Sequence, residues 1–177
     1  HLERGSRRED YSLSFTGTYA NGSSANSNVI TNNIAAGKTL TLNNVTNNAI
    51  TAARTLTFNG TGATVINGDF TTSTAFNINL TYSGTGSLTL GGTNTTGNVF
   101  NAGAITLSSG SLILGANEVL PDVISNSVNT GNIVVSPAAG VTATLDLNGR
   151  TETINGLTGT SAGTLIIDNS SATAASL

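Results

Sequence analysis

The chain has 177 residues, only 8% of them charged, and a net charge of −3. Thr, Asn, Ser and Gly make up about half of it, and with so little charge this excludes a coiled coil or a charge-rich disordered chain. No basic surplus is present to grip a phosphate backbone or an anionic membrane. The absence of Cys and the single histidine, His1, exclude disulfides, Cys/His zinc sites and a nucleophile served by an internal histidine.

Residues 1–10 hold three of the six basic and three of the nine acidic residues and form a charged leader, either a vector-derived or flexible arm or a polar cap. The remainder, 11–177, is expected to be one domain. The chain does not start with Met and is expected to be a processed subunit or a segment of a longer polypeptide. No run approaches the ~18 apolar residues of a membrane span.

From Thr39 onward one pattern recurs: a small or hydroxyl residue, an apolar residue, usually Thr, a second apolar residue, then turn formers. It reads Thr39-Leu40-Thr41-Leu42, Thr55-Leu56-Thr57-Phe58, Ser87-Leu88-Thr89-Leu90 and Ala104-Ile105-Thr106-Leu107. It returns as Ser111-Leu112-Ile113-Leu114, Thr144-Leu145-Asp146-Leu147 and Thr164-Leu165-Ile166-Ile167. Period-two alternation places each apolar pair on one face of a short strand and the Thr on the other. Asn, Gly and Ser then end each strand because they accept bent and left-handed conformations; Asn-Gly at Asn21, Asn59, Asn67, Asn148 and Asn155 marks candidate tight turns.

No segment shows helical periodicity between a cap and a stop, so the protein is expected to be all-β. An internal repeat of one type, small residues between copies and only two prolines favour a solenoid over a sandwich or barrel. The uneven spacing of the copies, with weaker strands at Val65-Ile66, Ile78 to Leu80 and Ile133 to Val135, fits coils of about twenty residues with two or three strands each. Leu40, Leu42, Leu56, Phe58, Leu88, Leu90, Ile105, Leu107, Leu112, Leu114, Leu145, Leu147, Leu165 and Ile167 are the expected inward column.

A more specific signal covers roughly Gly84 to Leu177. Gly84-Thr-Gly-Ser-Leu-Thr-Leu-Gly-Gly-Thr-Asn-Thr-Thr-Gly97, continuing to Gly103 and followed by Ser111-Leu-Ile-Leu-Gly115, resembles the passenger-associated transport repeat of bacterial autotransporters. That pattern runs G-x-G-x-L-x-L-x-G-x-N-T-Y-T-G and then G-x-L-x-L-G, with Thr95 here in place of its Tyr. Ala116-Asn-Glu-Val-Leu-Pro-Asp122 and Leu145-Asp-Leu-Asn-Gly149, leading to Thr153-Ile-Asn-Gly-Leu-Thr-Gly159, are similar to segments found downstream of such repeats. The resemblance implies a right-handed parallel β-helix on a secreted bacterial surface protein, exported through a β-barrel carried by the same polypeptide.

Catalytic β-helices need clustered acids with Lys, Arg or calcium on one strand face. Here Asp69, Asp122, Asp146, Glu152 and Asp168 are spread singly; only Asp146 and Asp168, at strand or strand-end positions of two copies, could approach each other if their coils stack, and the plain expectation is outward, solvated carboxylates. Lys38 and Arg54 each stand two residues before the first apolar position of a copy, and on adjacent coils they would lie one strand spacing, ~4.8 Å, apart as an anion-binding spot or tolerated surface. Arg150, between Asp146 and Glu152, suggests a structural ion pair. Thr-x-Thr at Thr39/Thr41, Thr55/Thr57, Thr142/Thr144 and Thr151/Thr153 resembles ice-binding ladders, yet it breaks at Ser87/Thr89, Ala104/Thr106 and Ser111/Ile113.

The sequence therefore points to a non-enzymatic structural or adhesive β-helix module outside a bacterial cell, with no catalytic, cofactor or metal residues. Its expected partners are like modules or copies of itself at the helix ends and a surface glycan or host-cell ligand, with no nucleic acid and no membrane insertion of this segment. The main alternative is a subunit that polymerises end to end through strand edges into an extracellular filament. A carbohydrate-active enzyme and an ice-binding solenoid rank below these.

Overall fold

A computed structural model describes residues 11–21, 28–47, 54–72, 78–92, 104–120, 133–159 and 162–177. The charged leader, the 93–103 part of the transport-repeat motif and Pro121-Asp122 lie outside them. The strands wind coil upon coil. The first three coils have three strands each: β1 (Leu13–Phe15), β2 (Tyr19–Asn21) and β3 (Asn28–Thr31); β4 (Thr39–Leu42), β5 (Val45–Asn47) and β6 (Arg54–Asn59); β7 (Ala63–Ile66), β8 (Phe70–Thr72) and β9 (Ile78–Tyr82). Then follow β10 (Ser87–Leu90) with β11 (Ile105–Leu107), β12 (Gly110–Leu114) with β13 (Ile133–Val135), β14 (Thr142–Asp146) with β15 (Leu157–Gly159), and β16 (Thr164–Asp168).

Every strand pairs in parallel with its equivalent in the next coil, giving a seven-stranded sheet β1-β4-β7-β10-β12-β14-β16, a six-stranded sheet β3-β6-β9-β11-β13-β15 and a three-stranded sheet β2-β5-β8. This is a right-handed parallel β-solenoid. The strands form because their sequences alternate: in β4, β7 and β10 the second and fourth residues are buried and the others only half-buried. Backbone bonds carry the ladder past the strand ends, with the N–H groups of Asn43, Asn67, Gly91 and Gly115 donating to Phe15, Leu42, Ile66 and Leu90 one coil back.

Register partners Leu40, Thr64, Leu88 and Leu112 define a coil of about 24 residues, longer than the twenty expected. The uneven spacing in the sequence has a simple origin. Leu40, Leu88, Leu112 and Leu145 belong to the seven-stranded sheet, whereas Leu56 and Ile105 belong to the six-stranded sheet, so one strand pattern is read out on two faces.

The inward residues form one apolar column, including Val45, Ile66, Leu80, Tyr82, Val119, Leu120, Ile133, Val135 and Ala143, which the repeat pattern alone does not single out. Two members of the expected inward set depart from it: Leu165 is only partly buried and Ile167 is 46% exposed. Both point along the column, as partners of Ala143 and Leu145, but β16 is the outer strand of its sheet among the described residues and nothing described covers them.

Thr64 is a polar residue at a buried inward position. Thr64 lies in register between Leu40 and Leu88, and its hydroxyl accepts from the Asn32 amide at 3.0 Å. Asn32, 3% exposed, also donates to the Ala63 carbonyl and accepts from the Ile34 N–H, so neither buried polar group is stranded. Beside it the chain turns at Gly60, whose φ of 107° and contact with the Asn32 backbone admit no side chain.

Candidate functional site

Among the described residues no three acidic side chains converge. Asp146 and Asp168 are register partners on β14 and β16. Their environments differ, however. Asp168 is exposed, and its Oδ1 accepts from the Asn169 N–H. Asp146 is buried, contrary to the expected solvated carboxylate, because the chain after β16 folds over it.

The Ser170 hydroxyl donates to Asp146 Oδ2 at 2.6 Å, and the N–H groups of Ser170 and Asn148 donate to Oδ1 at 3.0 and 2.9 Å. Burial alone would raise the pKa of Asp146, but these three bonds hold it below the ordinary value of 3.8. The arrangement is that of a fixed anionic clamp. It ties the C-terminal segment to β14.

Glu152 is also structural. It is 3% exposed, and its two oxygens accept from the N–H groups of Val119 and Leu120 at 2.9 and 3.0 Å, locking the turn after β12 to the chain after β14. Arg150 Nε is buried with no hydrogen-bond partner. Among the described residues no three His, Cys, Asp or Glu side chains converge to hold a metal ion.

Lys38 and Arg54 are not stacked. Lys38 precedes β4 in the seven-stranded sheet and Arg54 opens β6 in the six-stranded sheet, so the two-cation spot inferred from their similar place in the repeat does not form. Tyr82 is a further buried ionisable group. Its hydroxyl has no hydrogen-bond partner, and burial pushes its pKa up to about 12.

Sorting the residues by sheet also changes the Thr ladders. Thr39/Thr41 and Thr55/Thr57 lie on different faces, so they were never consecutive rungs of one ladder. On the seven-stranded sheet the outward column runs Thr41, Val65, Thr89, Ile113, Asp146, alternating hydroxyl with aliphatic before its acid.

On the six-stranded sheet it runs Val29, Thr57, Thr81, Thr106, Val134, Thr158, an uncharged β-branched column through six coils. Thr106, which looks like a break in the sequence, is the direct partner of Thr81. The second Thr column needed for an ice-type array is absent, since Thr55 pairs with Asn79. The Thr57-Thr81-Thr106 alignment escapes a reading that treats all copies as one series; spacing by about 24 residues would have found it.

These faces present groups that can bind a ligand. The threonine hydroxyls of Thr57, Thr81 and Thr106, held ~4.8 Å apart in one column, present repeated donor and acceptor groups with methyl groups between them. Among the described residues no helix is long and apolar enough to cross a membrane. Comparisons with protein-family models, with curated proteins and with solved structures found no match.

Proposed function

We propose that this chain is a non-enzymatic structural and adhesive module, similar to an autotransporter passenger segment, displayed outside a bacterial cell. The observation that carries the reading is the column Val29, Thr57, Thr81, Thr106, Val134, Thr158 on the outward face of the six-stranded sheet. A stiff rod with hydroxyls at fixed intervals suits a repetitive, uncharged ligand such as a surface glycan, whose hydroxyls recur along its own length. The buried carboxylates support the same reading, because Asp146 and Glu152 are committed to holding the chain.

Two experiments test it. Protease added to intact cells producing the full-length gene product should degrade this segment. The purified protein should bind immobilised glycans or cell surfaces, and Thr81→Lys with Thr106→Lys should abolish binding while leaving a strand-rich circular dichroism spectrum. Retention inside the cell, binding indifferent to both substitutions, or cleavage of a glycan would refute the reading.

A further inference from the structure

The sequence carries an Asn-Gly pair at Asn21, Asn59, Asn67, Asn148 and Asn155, and such a pair has a reaction of its own. The glycine nitrogen gives up its proton to hydroxide and attacks the asparagine Cγ; the Cγ–Nδ2 bond breaks, ammonia leaves, and water opens the resulting cyclic imide to aspartate or isoaspartate. Glycine permits this because no side chain crowds its nitrogen. The peptide must first swing toward the side chain, so a glycine N–H held by a hydrogen bond keeps the route closed until the turn opens.

Three of these pairs are restrained in different ways. At Asn67 the Gly68 N–H donates to the Asn43 carbonyl at 2.8 Å, a main-chain acceptor. At Asn59 the carbonyls of both residues are held, Asn59's by the Asn32 N–H and Gly60's by the N–H groups of Thr85 and Gly86, and Gly60 is pressed against the Asn32 backbone. At Asn148 the restraint is a side chain: the Gly149 N–H donates to Asn169 Oδ1 at 2.7 Å. Asn148 and Gly149, with φ of 47° and 73°, are successive left-handed residues of a tight turn. The Asn148 Nδ2, the group that would leave, donates to the Leu114 carbonyl at 3.0 Å. Asn169 is itself fixed by its Nδ2, which donates to the Thr173 carbonyl at 2.9 Å. Of the three restraints, the one at Asn148 can be removed by changing a single side chain.

We propose that Asn148 is a latent deamidation site, kept closed in the folded chain by the Asn169 side chain of the next coil. Its conversion acts on the fold. An isoaspartate adds one atom to the main chain inside the turn that the Arg150 N–H closes on the Leu147 carbonyl at 2.8 Å. That turn leads into Glu152, whose carboxylate holds the N–H groups of Val119 and Leu120. Modification at Asn148 therefore loosens the junction between 117–120 and 150–153. The proposal needs the solenoid but not the ligand-binding face, and the two fail separately.

The test is the rate of conversion at Asn148 and Asn67 in the 177-residue chain at mildly alkaline pH, read by peptide mass spectrometry with isoaspartyl-specific enzymatic methylation. In the wild type Asn148 should convert far more slowly in the folded protein than in urea. Asn169→Ala should speed conversion at Asn148 by about three- to tenfold, the rate equivalent of one hydrogen bond, and leave Asn67 unchanged. Asn169→Asp, which keeps the acceptor but loses the bond to Thr173, should convert Asn148 at the wild-type rate. Hydrogen exchange at Val119 and Leu120 should be faster in the converted fraction, and unchanged exchange there would contradict the loosening. Should Asn169→Ala fail to fold, Asn67 accelerates together with Asn148, and the comparison of Asn169→Asp with wild type decides. Folded wild type that converts Asn148 at its urea rate would overturn the proposal. So would a folded Asn169→Ala with an unchanged rate at Asn148, or an Asn169→Asp that converts Asn148 faster than wild type.

Discussion

The Asn32 amide donates to the Thr64 hydroxyl at 3.0 Å across one coil step, at an inward position of β7 where Leu40 and Leu88 stand in the neighbouring coils. An unpaired hydroxyl and carbonyl there would each cost about 1–3 kcal/mol. Asn32→Ala strands the Thr64 hydroxyl and the Ala63 carbonyl together, so urea titration should show a loss of about 2 kcal/mol or more. Thr64→Val, which leaves the Asn32–Ala63 bond in place, should lose less. Equal stability of Asn32→Ala and wild type would contradict this role.

That pair also explains what the sequence hides. Leu40/Leu42 and Leu88/Leu90 announce their strands by alternation, and the all-β solenoid follows from them. Ala63-Thr64-Val65-Ile66 is an equal member of the same sheet, but Thr64 removes its first apolar position, so the step from Leu40 to Leu88 looks like a gap. The faces were illegible for a related reason: Leu42 and Phe58 follow one local pattern, and only pairing across coils assigns them to different sheets. Asp146 and Glu152 have ordinary surface-residue sequence contexts. Their burial comes from Ser170, and from Val119 and Leu120, residues distant in the chain.

Asp146 should make the C-terminal coil acid-sensitive. Its folded pKa lies below 3.8, so the unfolded chain binds its proton first as pH falls. The clamp's contribution is therefore present above 3.8 and is lost as pH drops through the folded value. Hydrogen exchange at 164–170 should accelerate below pH 4 in the wild type. Asp146→Asn, which cannot accept at both positions, should show faster exchange already at neutral pH and little further change in acid.

Tyr82 works in the opposite direction. Its folded pKa of about 12 exceeds the ordinary 10.0, so stability is complete below 10 and declines as pH rises toward 12, because the unfolded chain releases this proton more readily. Since its buried hydroxyl has no partner, Tyr82→Phe should leave stability at pH 7 unchanged or raised and should flatten the alkaline decline. Marked destabilisation at pH 7 would show that the hydroxyl has a bonding role.

Coil stacking should be least tolerant where backbones touch. A Cβ on Gly84 would stand 2.6 Å from the Gly60 carbonyl oxygen and 2.9 Å from the Tyr82 hydroxyl, whereas one on Gly17 would meet nothing within 4 Å. Gly84→Ala should therefore cost about 1–3 kcal/mol in denaturant titration, as overpacking does. Gly17→Ala should stay within about 0.5 kcal/mol of wild type.

The adhesive reading rests on outward residues of successive coils forming one straight column, and spin-label distances on the six-stranded sheet measure that directly. Labels at Val29 and Thr106 are three rungs apart and those at Val29 and Thr158 five, so the backbone positions should be separated by about 14 and 24 Å. Distances that rise linearly with rung number are the expected result. Distances that fail to grow from Thr106 to Thr158 would contradict the column, and with it the binding face.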